Sequence, residues 1–271
     1  MTADNDASAP AVPGSASWTE MFADGGIAPS RLGDVVIERL TQAIVDGRLK
    51  PGDRLPSESR IAETFGISKP IAREALRELA AMGVIQVQQG KVGRVRALDS
   101  GPLARFFRFA VGGTAQGLHN AVELRRLLEP QVARMAAQRG TKEQRVVLRA
   151  ILKDMEAALG DVPRWIESDL AFHRQIASMT QNSLIILQMQ GLEPVIREMM
   201  VRFNDRAARK PADWRETYKR HVRVAEAVNR GDAGAAERAM GGHFQAADAA
   251  IAEIFGRRNG APEKQTRRKT T

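Results

Sequence analysis

The sequence predicts a mainly α protein in two units, a small N-terminal helical head closed by a β-hairpin and a larger all-α bundle behind it. Three observations predict this. The chain has 271 residues, more than the roughly 100–200 of a single domain. Apolar residues recur at helical spacing along most of its length, and only residues 84–96 switch to a period of two. Breaks of Gly, Pro, Asn or Asp recur from Gly112 to Asp232 at intervals suited to helices of ordinary length.

Composition narrows the function classes. There is no cysteine, which excludes disulfide staples, thiolate zinc sites and cysteine nucleophiles, and favours a reducing compartment. No apolar run approaches the roughly 20 residues that span a bilayer, and the N-terminus lacks the basic start and apolar block of a secretory signal. Together these read as a cytoplasmic protein with no membrane partner. The net charge of +9 points to a polyanionic partner. Residues 1–30 hold four acids and no base, are rich in Ala, Ser, Gly and Pro, and read as a flexible leader. Residues 257–271 hold six bases against one acid and read as a disordered basic tail able to touch phosphates loosely.

The head is expected over residues 31–98. Val36, Leu40, Ile44 and Val45 mark a first helix that Gly47 ends. Lys50-Pro51-Gly52-Asp53 is a turn, because Pro presets one backbone angle and Gly relaxes the next. Ser57 is placed to cap a short second helix carrying Ile61, Ala62 and Phe65 inward. Gly66-Ile67-Ser68 links it tightly to a third helix, from about Lys69 to Met82, with Ile71, Leu76, Leu79 and Ala80 inward. Lys69, Arg73 and Arg77, spaced by four, form a cationic stripe on its other face. After Gly83 the alternation of Val84, Gln86 and Gln88 with Ile85 and Val87, the turn Gly90-Lys91-Val92-Gly93 and the strand Arg94-Val95-Arg96 make a hairpin with a basic tip.

In this order the parts make a winged helix-turn-helix. A helix fills the major groove of double-stranded DNA, its N-terminal residues meet base edges, and wing cations reach phosphates or the minor groove. A cation stripe alone is more often a solvated helix face; here it lies on the one helix that the turn and hairpin would present to DNA.

The stretch Leu49-Lys50-Pro51-Gly52-Asp53-Arg54-Leu55-Pro56-Ser57-Glu58, followed by Ile61-Ala62, Ser68-Lys69-Pro70 and Ala72-Arg73-Glu74-Ala75-Leu76, closely resembles the GntR family of bacterial regulators. The resemblance covers some sixty consecutive positions from Val36 to Arg96. It implies operator-DNA contacts from Arg54, Ser68, Lys69, Arg73 and Arg77, with Gly90 and Lys91 at the wing tip. FadR-type relatives often place arginine where this chain has Ser59 and Lys69. A lysine is a point charge where arginine is a planar fork, which leaves Arg73 the better reader of a base.

Residues 99–117 read as a connecting segment with a short helix, and 118–256 as a helical ligand-sensing and dimerisation bundle of about six helices, broken at Gly140-Thr141, Gly160-Asp161, Gln181-Asn182, Lys210-Pro211 and Gly231-Asp232. Polar residues on its apolar stripes carry the information. Asp169 and His173 lie in phase with Ile166 and Ile176; His221 with Trp214, Tyr218, Ala225 and Val228; His243 with Ala236, Met240, Ala247 and Ile254. Three imidazoles and a carboxylate meeting in a core are satisfied economically by a divalent cation. Each histidine could instead be an ordinary core residue with its own partner. Arg125 is in phase with Leu118, Val122, Val132 and Ala136, and Glu129 follows one turn later. Glu129 can neutralise it within the helix, or a bound acid can.

Glu123-Leu124-Arg125-Arg126-Leu127-Leu128-Glu129-Pro130, Asp169-Leu170-Ala171-Phe172-His173, His221 and His243 resemble the FCD sensor domain of the FadR-type branch. The resemblance implies a zinc, manganese or nickel ion on Asp169, His173, His221 and His243, an organic-acid or sugar-acid effector near Arg125 and Glu129, a homodimer, and repression of transcription. His119 matches no ligand position. Two other functions compete: a metal-dependent enzyme, for which no further in-phase acid or base is assigned to proton transfer, and a nonspecific DNA-binding structural protein, which would need no palindromic site.

Overall fold

The computed structural model describes residues 30–87, 93–206 and 210–256. The leader, the wing tip with Gly90 and Lys91, and the basic tail lie outside the described residues. The chain divides after Leu98 into two compact units.

The first unit holds α1 (Ser30–Val45), α2 (Glu58–Phe65), α3 (Lys69–Ala81), β1 (Ile85–Gln86) and β2 (Arg94–Val95). Ser57 caps α2 by accepting from the Arg60 backbone N–H at 3.2 Å, and Gly66 ends it in the left-handed region at φ 66°, where a side chain would be strained. That single residue turns the chain into α3. The strands pair antiparallel with Ile85 opposite Val95. The stretch expected as a turn also joins the sheet: Leu55 N–H donates to Gly93 O and Val95 N–H to Asp53 O, so β2 is bonded on both sides.

Val36 and Leu40 of α1, Ile61 of α2, Leu76 and Leu79 of α3, and Leu55, Ile85 and Val95 form one core. Two details differ from the periodic reading. Val45 is 73% exposed, because α1 has already left the core at its last turn. On α3 the buried face centres on Ala72, Ala75, Leu76 and Leu79, with Ile71 and Ala80 at its margins. Close helix packing selects the small residues for the centre of the contact and pushes larger ones to its edges.

The second unit is all helical: α4 (Gly101–Val111), α5 (Ala115–Arg139), α6 (Lys142–Ala157), α7 (Val162–Met179), α8 (Ser183–Arg206), α9 (Pro211–Arg230) and α10 (Ala233–Gly256). The boundaries fall at the Gly, Pro and Asn/Asp breaks read from the sequence. Helix α5 lies against α10, α10 against α9, and α7 between α6 and α8. Helix α4 packs on α8 so closely that a Cβ on Gly191 would sit 2.8 Å from Leu103 Cβ. Trp165 and Phe172 of α7, Leu192 and Ile196 of α8, Val224 of α9 and Met240 of α10 fill the core. Arg145 of α6 ties two helix ends together, donating to the carbonyls of Gly140, Ala137 and Val228 at the C-terminal ends of α5 and α9. No described helix is long and apolar enough to cross a membrane.

Candidate metal centre and nucleic-acid interface

Three helices bring the three expected imidazoles together, and Asp169, the fourth expected ligand, lies against two of them. Helix α7 carries Asp169 and His173, α9 carries His221 and α10 carries His243, with exposures of 6, 4, 0 and 8%. One nitrogen from each imidazole lies within 4.8 Å of the others. Asp169 Oδ1 is 3.0 Å from His221 Nε2, and its Oδ2 is 3.8 Å from His173 Nε2. Trp165 and Phe172 stand edge-on to His221 at 5.9 and 4.9 Å between ring centres, fixing the ring in an apolar wall.

The outer hydrogen bonds set the tautomers. His173 Nδ1 contacts the Glu129 carboxylate, and His221 Nδ1 donates to the Thr217 carbonyl at 2.9 Å. Both partners accept, so each Nδ1 carries the proton and each Nε2 turns a lone pair inward. His221 Nε2 and His243 Nδ1 are buried with no hydrogen-bond partner among the described residues. The 3.0 Å approach of His221 Nε2 to Asp169 lacks hydrogen-bond alignment and sets two acceptors face to face. Acceptors crowded like this in a dry core call for a cation between them. A set of three imidazoles and one carboxylate fits zinc, manganese or nickel.

The ionisation states agree with that fit. Burial pushes the Asp169 carboxyl up, while positive charge at the facing positions of His221, His173 and His243 would hold it well below the usual carboxylate range, as a cation held between them would too. His243 lies well below the ordinary imidazole value, first through burial and then through His221 and His173 beside it. A carboxylate that stays ionised and an imidazole that stays neutral are the forms that bind metal.

Arg125 and Glu129 extend the cluster outward along α5. Arg125 is buried, donates through Nε to Glu129, and holds its guanidinium 5.3 Å over the Phe244 ring. Glu129 therefore bonds Arg125 and His173 at once. Burial alone would raise its carboxyl, yet the charges of Arg125 and His173 hold it below the usual range. A pocket of about 280 Å³, counting its open mouth, lies beside this chain and is lined by Arg125, His173, Leu170, Met189, Gln190 and Glu193, among others. Glu129 is not among its lining residues; its carboxylate is spent on orienting Arg125 and His173. Sequence phase placed Glu129 inward but could not show its link to His173, 44 positions away. Nor could it identify Gln190 and Glu193 of α8, which carry no motif.

In the first unit Lys69, Arg73 and Arg77 are exposed along α3, and Arg54 is exposed on the segment bridged to β2. Ser68 is exposed at the N-cap of α3 with no side-chain cap bond, and Pro70 follows within the first turn. Arg77 lies 3.6 Å from Glu74. Arg73 is engaged by Glu58, the last residue of the family-like stretch that begins at Leu49. Nε of Arg73 lies 3.1 Å from both carboxylate oxygens, and Nη2 lies 2.9 Å from Oε2.

Comparison with known proteins converges on one family. Residues 32–95 match the family model described as bacterial regulatory proteins, gntR family, and residues 120–246 match the FCD domain. The HTH-type transcriptional regulator LutR of Bacillus subtilis is 29% identical over 218 residues, 78% of this chain and 97% of that protein. The Glc operon transcriptional activator of Escherichia coli K12 is 30% identical over 204 residues, 72% of this chain and 79% of that protein. The HTH-type transcriptional repressor NanR of an Enterobacter species is 28% identical over 234 residues, 82% and 86% of the two chains. A solved Streptococcus agalactiae GntR structure aligns at TM-score 0.62 and 24% identity, covering 80% of this chain and 99% of that one, and shares the fold.

Proposed function

This chain belongs to the GntR family, a DNA-binding transcriptional regulator with an FCD domain rather than an enzyme, and from that premise we propose that it represses transcription as a homodimer on a pseudo-palindromic operator until a small organic or sugar acid binds. In this reading residues 31–98 form the DNA-binding head, 99–117 the connection and 118–256 the sensor. Such a regulator works in the cytoplasm, where its DNA is. One winged helix reads too few base pairs for genomic selectivity, which favours two heads on two half-sites. On each head Arg54, Ser68, Lys69, Arg73 and Arg77 face DNA, with Gly90 and Lys91 on the wing.

The observation that carries the sensing half is the cluster of three buried imidazoles, two of them with an orphaned nitrogen, and Asp169 lies against two of the three. Asp169, His173, His221 and His243 would hold one zinc, manganese or nickel ion, which when bound supplies a Lewis-acidic point for a carboxylate. The chain's own residues do the rest. Arg125 offers a charge to an acid entering the pocket, Leu170 and Met189 exclude water, and Glu129 links Arg125 to His173. Glu129 takes Nε of Arg125, which leaves the Nη groups for an acid, so a ligand on Arg125 is joined through Glu129 to the support of His173. Because the cluster joins α7, α9 and α10, a ligand that tightens it favours one arrangement of these helices over another.

Elemental analysis of gently purified protein, followed by a thermal-shift screen of organic and sugar acids before and after chelation, tests the proposal. We expect about one equivalent of transition metal per chain and at least one acid whose shift disappears on chelation. No bound metal, with no uptake of zinc, manganese or nickel, overturns the sensing half. A promoter reporter then reads the sign, since repression requires higher expression in cells lacking the protein.

A further inference from the structure

We propose that Glu58 is a positioning residue for base readout: it clamps the side edge of the Arg73 guanidinium and presents the end edge to DNA, a role that rests on α3 being the recognition helix proposed above. The geometry distinguishes the two edges. The carboxylate takes Nε and one hydrogen of Nη2, at 3.1 and 2.9 Å. The end edge, made of Nη1 and the outer hydrogen of Nη2, stays outside the ion pair. Those are the two parallel donors that match O6 and N7 of a guanine in the major groove.

The fold makes this clamp from two local features. Ser57 caps α2, so Glu58 is its first helical residue, where the helix dipole favours an ionised carboxylate. Gly66 turns the chain back so that α3 runs past that end and Arg73, fifteen positions on, lies against it. Arg73 lowers the Glu58 carboxyl below its ordinary value, mainly through the hydrogen bond, with Arg77 and Lys69 adding to the effect. Glu58 thus feels all three cations of the stripe yet bonds Arg73.

Two consequences follow. The clamp removes rotamer freedom from Arg73 before DNA arrives, which lowers the entropic cost of ordering it on a base. It also places a negative charge beside the recognition face. Only Arg73 hydrogen-bonds that charge, so an Arg73 that swings to a phosphate leaves the Glu58 carboxylate without its hydrogen-bonded partner near the backbone, with Arg77 and Lys69 acting on it only through space. Both effects favour operator over other DNA, and neither raises affinity for DNA in general.

The test uses the full-length protein and the duplex that wild type recovers from a random library, against a scrambled duplex of equal length at matched salt. Glu58→Ala should lower the operator-to-scrambled affinity ratio about three- to tenfold, with affinity for the scrambled duplex unchanged or increased. Glu58→Gln, which keeps an accepting oxygen without the charge, should fall between the two. In an Arg73→Ala background the Glu58 substitution should leave the ratio where Arg73→Ala alone put it, and a repeated selection with Glu58→Ala should relax the same base pair that Arg73→Ala relaxes. Equal loss on both duplexes overturns the clamp, as does an undiminished effect without Arg73. If Arg73→Ala itself keeps full selectivity, the recognition helix is wrongly assigned; if it loses selectivity and Glu58→Ala does not, only the clamp fails. Circular dichroism of each variant identifies a misfolded head, and the Gln variant, which keeps the side chain's shape, decides the matter if the Ala variant is one.

Discussion

An arginine and a glutamate one turn apart appear in both halves of the molecule and mean different things in each. In the head, Arg60 and Glu63 on α2 pair at 2.8 Å with side chains 67 and 70% exposed. In the bundle, Arg125 and Glu129 on α5 pair with side chains 7 and 1% exposed. Water screens the first pair and could replace either partner. The second has no water to fall back on, and Glu129 holds a histidine as well. Burial, more than the identity of the pair, turns a surface ornament into a structural obligation. Arg73 and Glu58 lie between these extremes: they are exposed enough to meet a ligand, and their three short contacts give the side chain a direction.

The greatest loss of stability is expected at Glu129, whose carboxylate serves two buried partners. Glu129→Ala strands a buried guanidinium and leaves His173 Nδ1 without its acceptor, and should destabilise the protein by about 3–5 kcal/mol, read by urea denaturation. Added salt should change that loss little. A cost below about 1 kcal/mol would put Glu129 in the class of screened surface pairs. Glu129→Gln keeps the shape and should instead weaken metal retention about ten- to a hundredfold, as loss of an orienting carboxylate does.

Next in size is the metal itself. His221→Ala should reduce bound metal from about one equivalent to background and weaken the thermal response to an acid more than it weakens DNA binding. Unchanged metal in a His221→Ala, His243→Ala double variant would move the site elsewhere. Arg73→Ala should act on the other half of the molecule, lowering operator affinity about ten- to a hundredfold with the fold intact. Lys91→Ala, at a residue proposed to contact phosphates, should weaken all sequences alike and reduce the salt slope by about 1. An Arg73→Ala variant that lost metal or acid response would show that the two halves are not separable in this way.

The parts legible in the sequence were those with a local signature. Helix ends were legible because Ser57, Gly66, Gly140, Gly231 and their neighbours are caps and breakers in their own right. The phase of Asp169, His173, His221 and His243 was legible because a buried polar residue on an apolar stripe stands out. Contacts set by tertiary approach were not. Nothing near Glu129 names His173, nothing near Glu58 names Arg73, and the pairing of Leu55 with Gly93 is too short to carry a period. Periodicity puts Ile71 on the buried face of α3, because hydrophobic spacing carries no information about size. At a close crossing Ala72 and Ala75 fit where isoleucine does not.

The least change in stability is expected at Glu63, on the exposed pair of α2. Glu63→Ala removes the same functional group as Glu129→Ala from the same kind of i,i+3 or i,i+4 helical pair, but from a site where both side chains are mostly in water. The Coulombic gain there is screened, and ordering two long side chains costs entropy, so the loss should be about 0.5 kcal/mol or less and should vanish at high salt. Alanine also has the higher helix propensity, which offsets part of it. Urea denaturation of both variants at low and high salt gives four numbers. Burial sets the worth of these pairs if the Glu63 loss is small and salt-sensitive while the Glu129 loss is large and salt-insensitive. A Glu63→Ala loss approaching that of Glu129→Ala would mean that the head depends on its exposed ion pairs for stability, and the part given to burial would have to be withdrawn.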